Sequence, residues 1–217
     1  MPQIYARILA HMNGSLSAAR VMDAGARLVG DQGWSALSLR AVAGELGVTP
    51  MALYRHVPDS DALLSGVLDA IVAGAPDVRD IGDLDGDLVD WARRFHAYLV
   101  QFPGVAGQLL TGWFESVPML ERVEDLLALV GAHDIDGFAA VAVTNAVFTY
   151  VLMRAEAERQ VRSAGVVKRR LRTAGSSKDL PRLRSLANHY TTAEFDVHFE
   201  FGLNALIAGM NLTERAS

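Results

Sequence analysis

The sequence predicts an all-α protein, and three observations indicate this class. In residues 39–46, apolar side chains recur at positions i, i+3, i+4 and i+7, which puts them on one face of a helix. Further segments of helical length follow, separated by glycine and proline. No stretch of useful length alternates apolar and polar residues, as a half-buried strand would. The 217 residues, 51% of them hydrophobic, are enough for one large or two small domains.

The chain divides into three parts. Residues 1–16 are predicted to form an N-terminal arm. Residues 17–73 are predicted to form a first helical domain that includes a connecting helix, and residues 74–217 a second one. The boundary falls at the segment GAPDVRDIG, residues 74–82, because its proline and glycines interrupt the helical pattern.

Two short helices joined by a tight turn are predicted within residues 37–57. Ser38 is a good N-cap for the first of them, and Gly47 supplies the positive φ with which a helix can end. Thr49 is expected to cap the second helix, and Pro50 occupies its first position, where a missing N–H costs nothing. This spacing predicts a helix-turn-helix, in which the second helix enters the DNA major groove.

The outward side chains of the second helix are more typical of a DNA-binding surface than of a helix that faces only solvent. Leu53 and Val57 should face inward, which leaves a surface without carboxylates that mixes hydroxyls, small apolar groups and one arginine. Apolar groups can touch thymine methyls, whereas arginine can reach guanine or a phosphate. The predicted DNA contacts are Ser38, Arg40, Thr49, Pro50, Met51, Ala52, Tyr54, Arg55, His56 and Ser60. The alternative is a helical hairpin inside an ordinary all-α core.

The stretch LSLRAVAGELGVTPMALYRHV resembles the tetracycline-repressor (TetR) family of bacterial regulators. The preceding SLSAARVMDAGARLVGDQGW and the following VPDSDALLSGVLDAI are also similar to that family, so the resemblance covers residues 17–72. It implies a DNA-reading domain followed by a helical domain that binds a ligand and dimerises. The family usually carries a lysine near the start of its fourth helix, where this chain has Pro58-Asp59-Ser60-Asp61.

The charge of the first domain is low for a DNA-binding protein. Residues 17–61 hold four arginines and five acids, so few phosphates would be neutralised and non-specific affinity should be modest. A basic cluster lies elsewhere, with eight cationic side chains and one acid in residues 162–184. We interpret it as a solvated connection, and nucleic-acid contact is the alternative.

In the second domain, helices are expected near residues 84–101, 103–116, 118–133, 135–161 and 191–210. The segments 135–161 and 191–210 carry apolar side chains on almost every side, and a helix of that kind must be covered all round. We therefore predict a homodimer formed through these two helices, as in the TetR family. The alternative is a core formed within one chain.

A pocket for a small molecule is expected in the same domain. Aromatic and apolar residues would line it, and polar groups at 145 and 149 would anchor the ligand. The predicted ligand contacts are Phe95, Leu99, Trp113, Phe114, Asn145, Phe148, Thr149 and Met153. Any one of these side chains could instead be plain core.

Several chemistries are excluded or disfavoured. Cysteine is absent, no apolar run is expected to span a membrane, and the N-terminus lacks the pattern of a signal peptide, so we expect a cytoplasmic protein. Asp83, Asp85 and Asp87 imitate a calcium loop, but its glycine and its glutamate are missing. His133 beside Asp134 and Asp136 is a weak indication of a metal. No nucleophile, nucleotide or metal motif occurs, so no catalytic residue, metal or cofactor is predicted.

These observations together predict a dimeric, ligand-responsive transcriptional regulator. It would act as a repressor on a pseudo-palindromic double-stranded DNA operator and be released by a small-molecule effector of unknown identity. The alternative is an all-α small-molecule binding protein or enzyme that retains a vestigial helix-turn-helix.

Overall fold

The computed structural model describes residues 16–112, 115–162, 181–182 and 195–210. Within these ranges the structure contains α-helices, short 3₁₀ segments and no strand, which confirms the predicted all-α class. The chain forms two compact units, residues 1–74 and 75–217. The helices of the first unit are α1 (Ala18–Gln32), α2 (Leu39–Leu46), α3 (Pro50–Leu53) and α4 (Ser60–Ala73). Those of the second are α5 (Leu84–Leu99), α6 (Val105–Gly112), α7 (Val117–Gly131), α8 (Gly137–Arg162) and α9 (Phe195–Gly209).

In the first unit, α1 packs against both α2 and α4. Ser17 caps α1 by accepting a hydrogen bond from the backbone N–H of Arg20, at 3.3 Å. Gly25 lies where α1 meets α4, and a Cβ atom on it would come within 2.4 Å of a Val67 methyl group. The absence of a side chain at Gly25 therefore sets how closely these two helices approach.

In the second unit, α8 is the central helix, because α5, α6, α7 and α9 all pack against it. Trp91 and Phe95 of α5 stack on each other with ring centroids 4.9 Å apart, and Phe148 of α8 lies 6.0 Å from Phe95. The Tyr150 hydroxyl donates a hydrogen bond to the carbonyl of Phe199, at 3.0 Å, and so ties α8 to α9. These contacts form the core on which the second unit is built.

An ion pair adds to the attachment of α9. The Arg93 guanidinium donates to both carboxylate oxygens of Glu200, with Nε–Oε1 and Nη2–Oε2 distances of 2.8 and 2.6 Å. These hydrogen bonds hold the pKa of Glu200 below its ordinary value and raise that of Arg93. Most of the predicted basic cluster of residues 162–184, and the N-terminal arm except residue 16, lie outside the described residues.

The length of α8 corrects one expectation. Residues Gly137–Gln160 are long and apolar enough to span a membrane by length and composition, with a mean hydropathy of 1.5 over an 18-residue stretch. The expectation that no apolar run reaches that length was therefore wrong. Four other helices of the second unit pack against this helix, and a helix that is covered on several sides is apolar for that reason.

Candidate DNA-binding surface and effector cavity

The turn between α2 and α3 has the backbone geometry that its sequence predicts. The backbone N–H of Ala41 donates to Ser38 Oγ at 3.2 Å, which caps α2 at its start. Gly47 ends α2 in the left-handed region, at φ 65° and ψ 29°, and the N–H of Val48 bonds back to the carbonyl of Ala43 at 3.0 Å. The chain can therefore leave one helix and begin the next at Pro50.

The α3 helix is anchored by two buried residues. Leu53 and Val57 are 0% and 1% exposed, and the N–H groups of His56 and Val57 both donate to the carbonyl of Leu53. These bonds continue the helical turn beyond the last residue of α3. With Leu53 and Val57 fixed inward, the side chains of Tyr54 and Arg55 between them are turned toward solvent.

The predicted DNA-contact residues are mostly exposed. Met51 is 73% exposed and Tyr54 47% exposed. Ser38, Arg40, Thr49, Pro50, Arg55 and Ser60 are also exposed, whereas Ala52 and His56 are half-buried. This surface, which we call the reading face, presents apolar groups, hydroxyls and two guanidinium groups, as the sequence predicts.

The helix caps next to the reading face differ from the prediction at one position. Thr49 occupies the N-cap of α3, but its side chain makes no capping hydrogen bond, so the expectation that its hydroxyl caps this helix was wrong. At α4, the backbone N–H of Ala62 donates to Asp59 Oδ1 at 2.8 Å. Asp59 is therefore the cap, and Ser60 is the first residue of the helix.

The second unit contains a cavity of about 380 Å³ between the end of α5, the start of α6 and the C-terminal half of α8. Its volume lies within the range of small-molecule sites. Its lining is formed by Leu99, Val100, Phe102, Pro103, Gly104, Ala106, Ala155, Glu156, Glu158 and Arg159. We call it the effector cavity.

The polar groups of the effector cavity come mainly from α8. Arg159 donates through Nε to Glu156 Oε2 at 2.8 Å and makes a second, shorter bond to Oε1. The hydrogen bonds from Arg159 hold the pKa of Glu156 below its ordinary value. Glu158 is 2% exposed, and its Oε2 lies 3.4 Å from Nε2 of His96 on α5.

Among the predicted ligand contacts, Leu99 lines this cavity. Phe95 and Phe148 are buried in the aromatic core and do not line it, and Trp113 and Phe114 lie outside the described residues. Sequence reasoning missed Glu156, Glu158 and Arg159, although a group of charged side chains at the end of a helix that begins apolar is a usable signal.

The expected polar anchors, Asn145 and Thr149, do not belong to the effector cavity. Both are exposed, as is Met153, and none of the three lines the cavity. With Phe138 and Val141 they follow helical spacing along one exposed side of α8. The side of α8 that carries these three residues faces away from this cavity, and their assignment as ligand contacts stays a prediction.

Large apolar side chains on α8 and α9 are exposed. Phe138 is 89% exposed on α8, and Phe201 is 78% exposed on α9. Val141 and Met153 on α8 and Val197 on α9 are also exposed. We call this set the apolar face. Exposed apolar surface of this kind is typical of a protein–protein contact.

One group of residues has the side chains for a metal ion. A ligand atom from each of Asp80, Asp87 and His133 lies within 4.8 Å of the others. The buried Asp87 also accepts a hydrogen bond from the N–H of Ile81, at 2.9 Å. His133 therefore lies close to two acids that are distant in sequence, Asp80 and Asp87. It is also close in the chain to Asp134 and Asp136.

Taken together, the reading face and the effector cavity define a helix-turn-helix regulator with a separate helical unit. Residues 21–67 match the model of the bacterial regulatory proteins of the tetR family. Residues 76–213 match the tetracyclin repressor-like C-terminal domain. The chain belongs to the TetR family and is a DNA-binding transcriptional regulator.

Similar proteins agree with this assignment. The HTH-type transcriptional repressor DrrR1 of Streptomyces coeruleorubidus is 28% identical over 224 residues, which cover 91% of this chain and 78% of that protein. A possible TetR family transcriptional regulator from Streptomyces coelicolor A3(2) has a similar structure, with a TM-score of 0.77 and 22% identity. That match covers 91% of this chain and all of the other.

The structure of the Streptomyces coelicolor TetR family protein ActR in complex with actinorhodin is also similar. Its TM-score is 0.73 and its identity 23%, over 91% of this chain and 96% of that one. At this level of identity, the two structural likenesses establish the fold.

Proposed function

We propose that this protein is a repressor that binds a pseudo-palindromic operator as a homodimer and leaves it when a small molecule binds the second unit. The observation that carries the proposal is the reading face, where buried Leu53 and Val57 direct Tyr54 and Arg55 toward solvent. An exposed surface with a guanidinium, hydroxyls and small apolar groups, and no carboxylate on α3 itself, suits a major groove.

The apolar face supports the homodimer. Burying Phe138 and Phe201 against a second copy removes a large apolar area from water, which favours association. A two-fold axis would pair α8 and α9 with the same helices of the partner. Two reading faces related by such an axis would bind half-sites one helical turn, or a multiple of it, apart.

The effector cavity supports control by a small molecule. The structure of ActR was solved in complex with actinorhodin, so a protein of the same fold binds a small molecule. In the proposed mechanism the effector binds the DNA-bound and released conformations with different affinity, since only such a difference can shift the equilibrium between them. All eight predicted ligand contacts stay part of this proposal, and Leu99 is the one that lines the effector cavity. They are Phe95, Leu99, Trp113, Phe114, Asn145, Phe148, Thr149 and Met153.

Operator binding by variants of the reading face tests the proposal. The operator is first selected from random double-stranded DNA with the wild-type protein. Arg55→Ala should then weaken operator binding by about 30- to 25,000-fold, because each protomer loses one charged contact worth about 1–3 kcal/mol and the dimer loses two. It should also reduce the slope of log K against log salt by about 2 per dimer if the contact is to phosphate.

Arg79→Ala is the matched control, since Arg79 is an exposed arginine that lies in the second unit. It should leave both the affinity and the salt slope unchanged. If Arg55→Ala keeps wild-type affinity while its helicity is intact, the reading face does not bind DNA. The alternative, a small-molecule binding protein or enzyme with a vestigial helix-turn-helix, then becomes the better interpretation.

The proposal places the protein in the cytoplasm, where a bacterial operator is accessible. It involves no catalysed reaction, because binding alone accounts for repression and release.

A further inference from the structure

We propose that Asp80, Asp87 and His133 form a binding site for Zn²⁺ within the second unit. The inference goes beyond the proposed function, because these residues belong neither to the reading face nor to the effector cavity. Three observations carry it: the convergence of three ligand atoms, a buried ring nitrogen of His133 without a hydrogen-bond partner, and the backbone hydrogen bonds that hold both carboxylates.

The three ligands come from three segments of the second unit. Asp80 lies in the loop before α5, Asp87 in the first turn of that helix, and His133 in the turn that follows α7. A ligand atom from each residue lies within 4.8 Å of the other two. Asp134 and Asp136, which neighbour His133 in the chain, do not belong to this group. Folding therefore brings together ligands that are distant in sequence.

The Nε2 atom of His133 is the most informative part of the group. It is almost inaccessible to solvent and has no hydrogen-bond partner among the described residues, although 24% of the whole side chain is exposed. Oδ1 of Asp80 lies 3.8 Å away, which is too long for a hydrogen bond. Buried polar atoms in proteins almost always have a partner, and a metal ion held between His133 and Asp80 would be one.

Backbone hydrogen bonds hold both carboxylates in position. The N–H of Ile81 donates to Asp87 Oδ2 at 2.9 Å, and the N–H of Gly82 donates to Asp80 Oδ1 at 3.0 Å. Supporting hydrogen bonds of this kind orient the ligands of metal sites. Within the described part of the chain, neither aspartate forms an ion pair with an arginine or a lysine. Both side chains can therefore bind a metal ion without breaking such a pair.

The combination of ligands selects zinc. One imidazole nitrogen and two carboxylate oxygens are zinc ligands, and water commonly takes the fourth position. Two ligands of one tetrahedral zinc lie about 3.4 Å apart, because each is about 2.0–2.2 Å from the metal. The distance of 3.8 Å between Asp80 and His133 is close to this value, and the exposed Asp80 can rotate to shorten it. Mg²⁺ and Ca²⁺ prefer oxygen ligands, so the imidazole disfavours them.

Bound zinc would join the loop before α5 to the turn after α7. An ion that binds the folded chain and not the unfolded one stabilises the fold by mass action. At a free zinc concentration of about 100 times Kd, the melting temperature of the second unit should rise by roughly 5–11 °C. Mg²⁺ at the same concentration should leave that temperature unchanged.

Calorimetric titration of the untagged, full-length protein with ZnCl₂ and with MgCl₂ tests the site. We expect one zinc ion per chain and no saturable binding of Mg²⁺ over the same concentrations. His133→Ala and Asp80→Asn should each weaken zinc binding by at least about 10-fold, because loss of even a residue that supports a ligand costs about 10- to 100-fold. Co²⁺ reports its ligands through its visible absorption, so its spectrum on the wild type should change in His133→Ala.

His198→Ala and Asp196→Asn are the matched controls, since both residues are exposed on α9 and lie outside the group. Both variants should bind zinc as the wild type does. If His133→Ala fails to fold, Asp80→Asn decides, because Asp80 is exposed and its replacement leaves the core intact. No saturable binding of zinc, a preference for Mg²⁺, or zinc affinity that is unchanged in the folded variants of Asp80 or His133 would overturn the proposal.

Discussion

The apolar face gives the sharpest test of assembly, through the substitution Phe201→Asp. Phe201 is 78% exposed in the single chain, and full burial of a phenylalanine side chain contributes about 1.5–3 kcal/mol. Burying that exposed fraction would contribute about 1.2–2.3 kcal/mol per protomer. A two-fold dimer uses Phe201 twice, so the substitution removes about 2.3–4.7 kcal/mol from association.

This loss corresponds to a dissociation constant raised about 50- to 3,000-fold, before any cost of burying the aspartate. Sedimentation velocity over nanomolar to micromolar concentrations measures the constant directly. Operator affinity should fall in parallel, because a monomer contacts only one half-site. Circular dichroism and thermal unfolding establish that the variant is folded.

Val117→Asp is the control for this substitution. Val117 is also largely exposed, at 63%, but it begins α7 and lies outside the apolar face. An aspartate is favourable at a helix N-terminus, so the control should not disturb folding. If Phe201→Asp dimerises as tightly as the wild type, the apolar face is not the dimer interface and the reasoning fails.

Three further predictions concern stability and pH. Gly25→Ala should destabilise the first unit by about 1–3 kcal/mol, because the new Cβ would collide with Val67. Urea unfolding measures this change. A variant as stable as the wild type, or more stable, would contradict the packing of α1 against α4. Ser38→Ala should cost about 1 kcal/mol, whereas Thr49→Ala, which removes no capping bond, should cost less than about 0.5 kcal/mol. Burial raises the pKa of Tyr98 to about 12, so its contribution is intact below pH 10 and is lost as pH rises toward 12. The unfolding free energy of the wild type should fall between pH 9 and 11, and Tyr98→Phe should reduce that fall by up to roughly 1 kcal/mol. If the variant shows the same fall as the wild type, Tyr98 does not cause it.

Local signals account for what could be predicted of the reading face. The cap at Ser38, the left-handed Gly47 and the proline at the start of α3 each act within a few residues, so their effects can be inferred from sequence. The inward positions of Leu53 and Val57 follow from the helical period. The predicted cap at Thr49 was the exception. A residue at an N-cap position does not always form a hydrogen bond from its side chain to the helix backbone.

The sequence predicted the helices of the second unit and a pocket within it, but not the residues that line the effector cavity. The apolar residues of α8 surround the helix, so their spacing does not identify the side that faces the core. Asn145 and Thr149 were therefore assigned to a pocket, although they lie on an exposed side. The resemblance of residues 17–72 to the TetR family supplied the dimer hypothesis that the periodicity left open.

The sequence alone determined the helical class, the helix-turn-helix and the family, because short-range caps, turns and apolar spacing encode them. Only the tertiary structure decided which side chains meet from distant helices. Arg93 and Glu200 form their ion pair across 107 residues, and Glu158 meets His96 of another helix beside the cavity. Such contacts depend on how five helices pack around one another, and the packing places charges and cavities that no local pattern specifies.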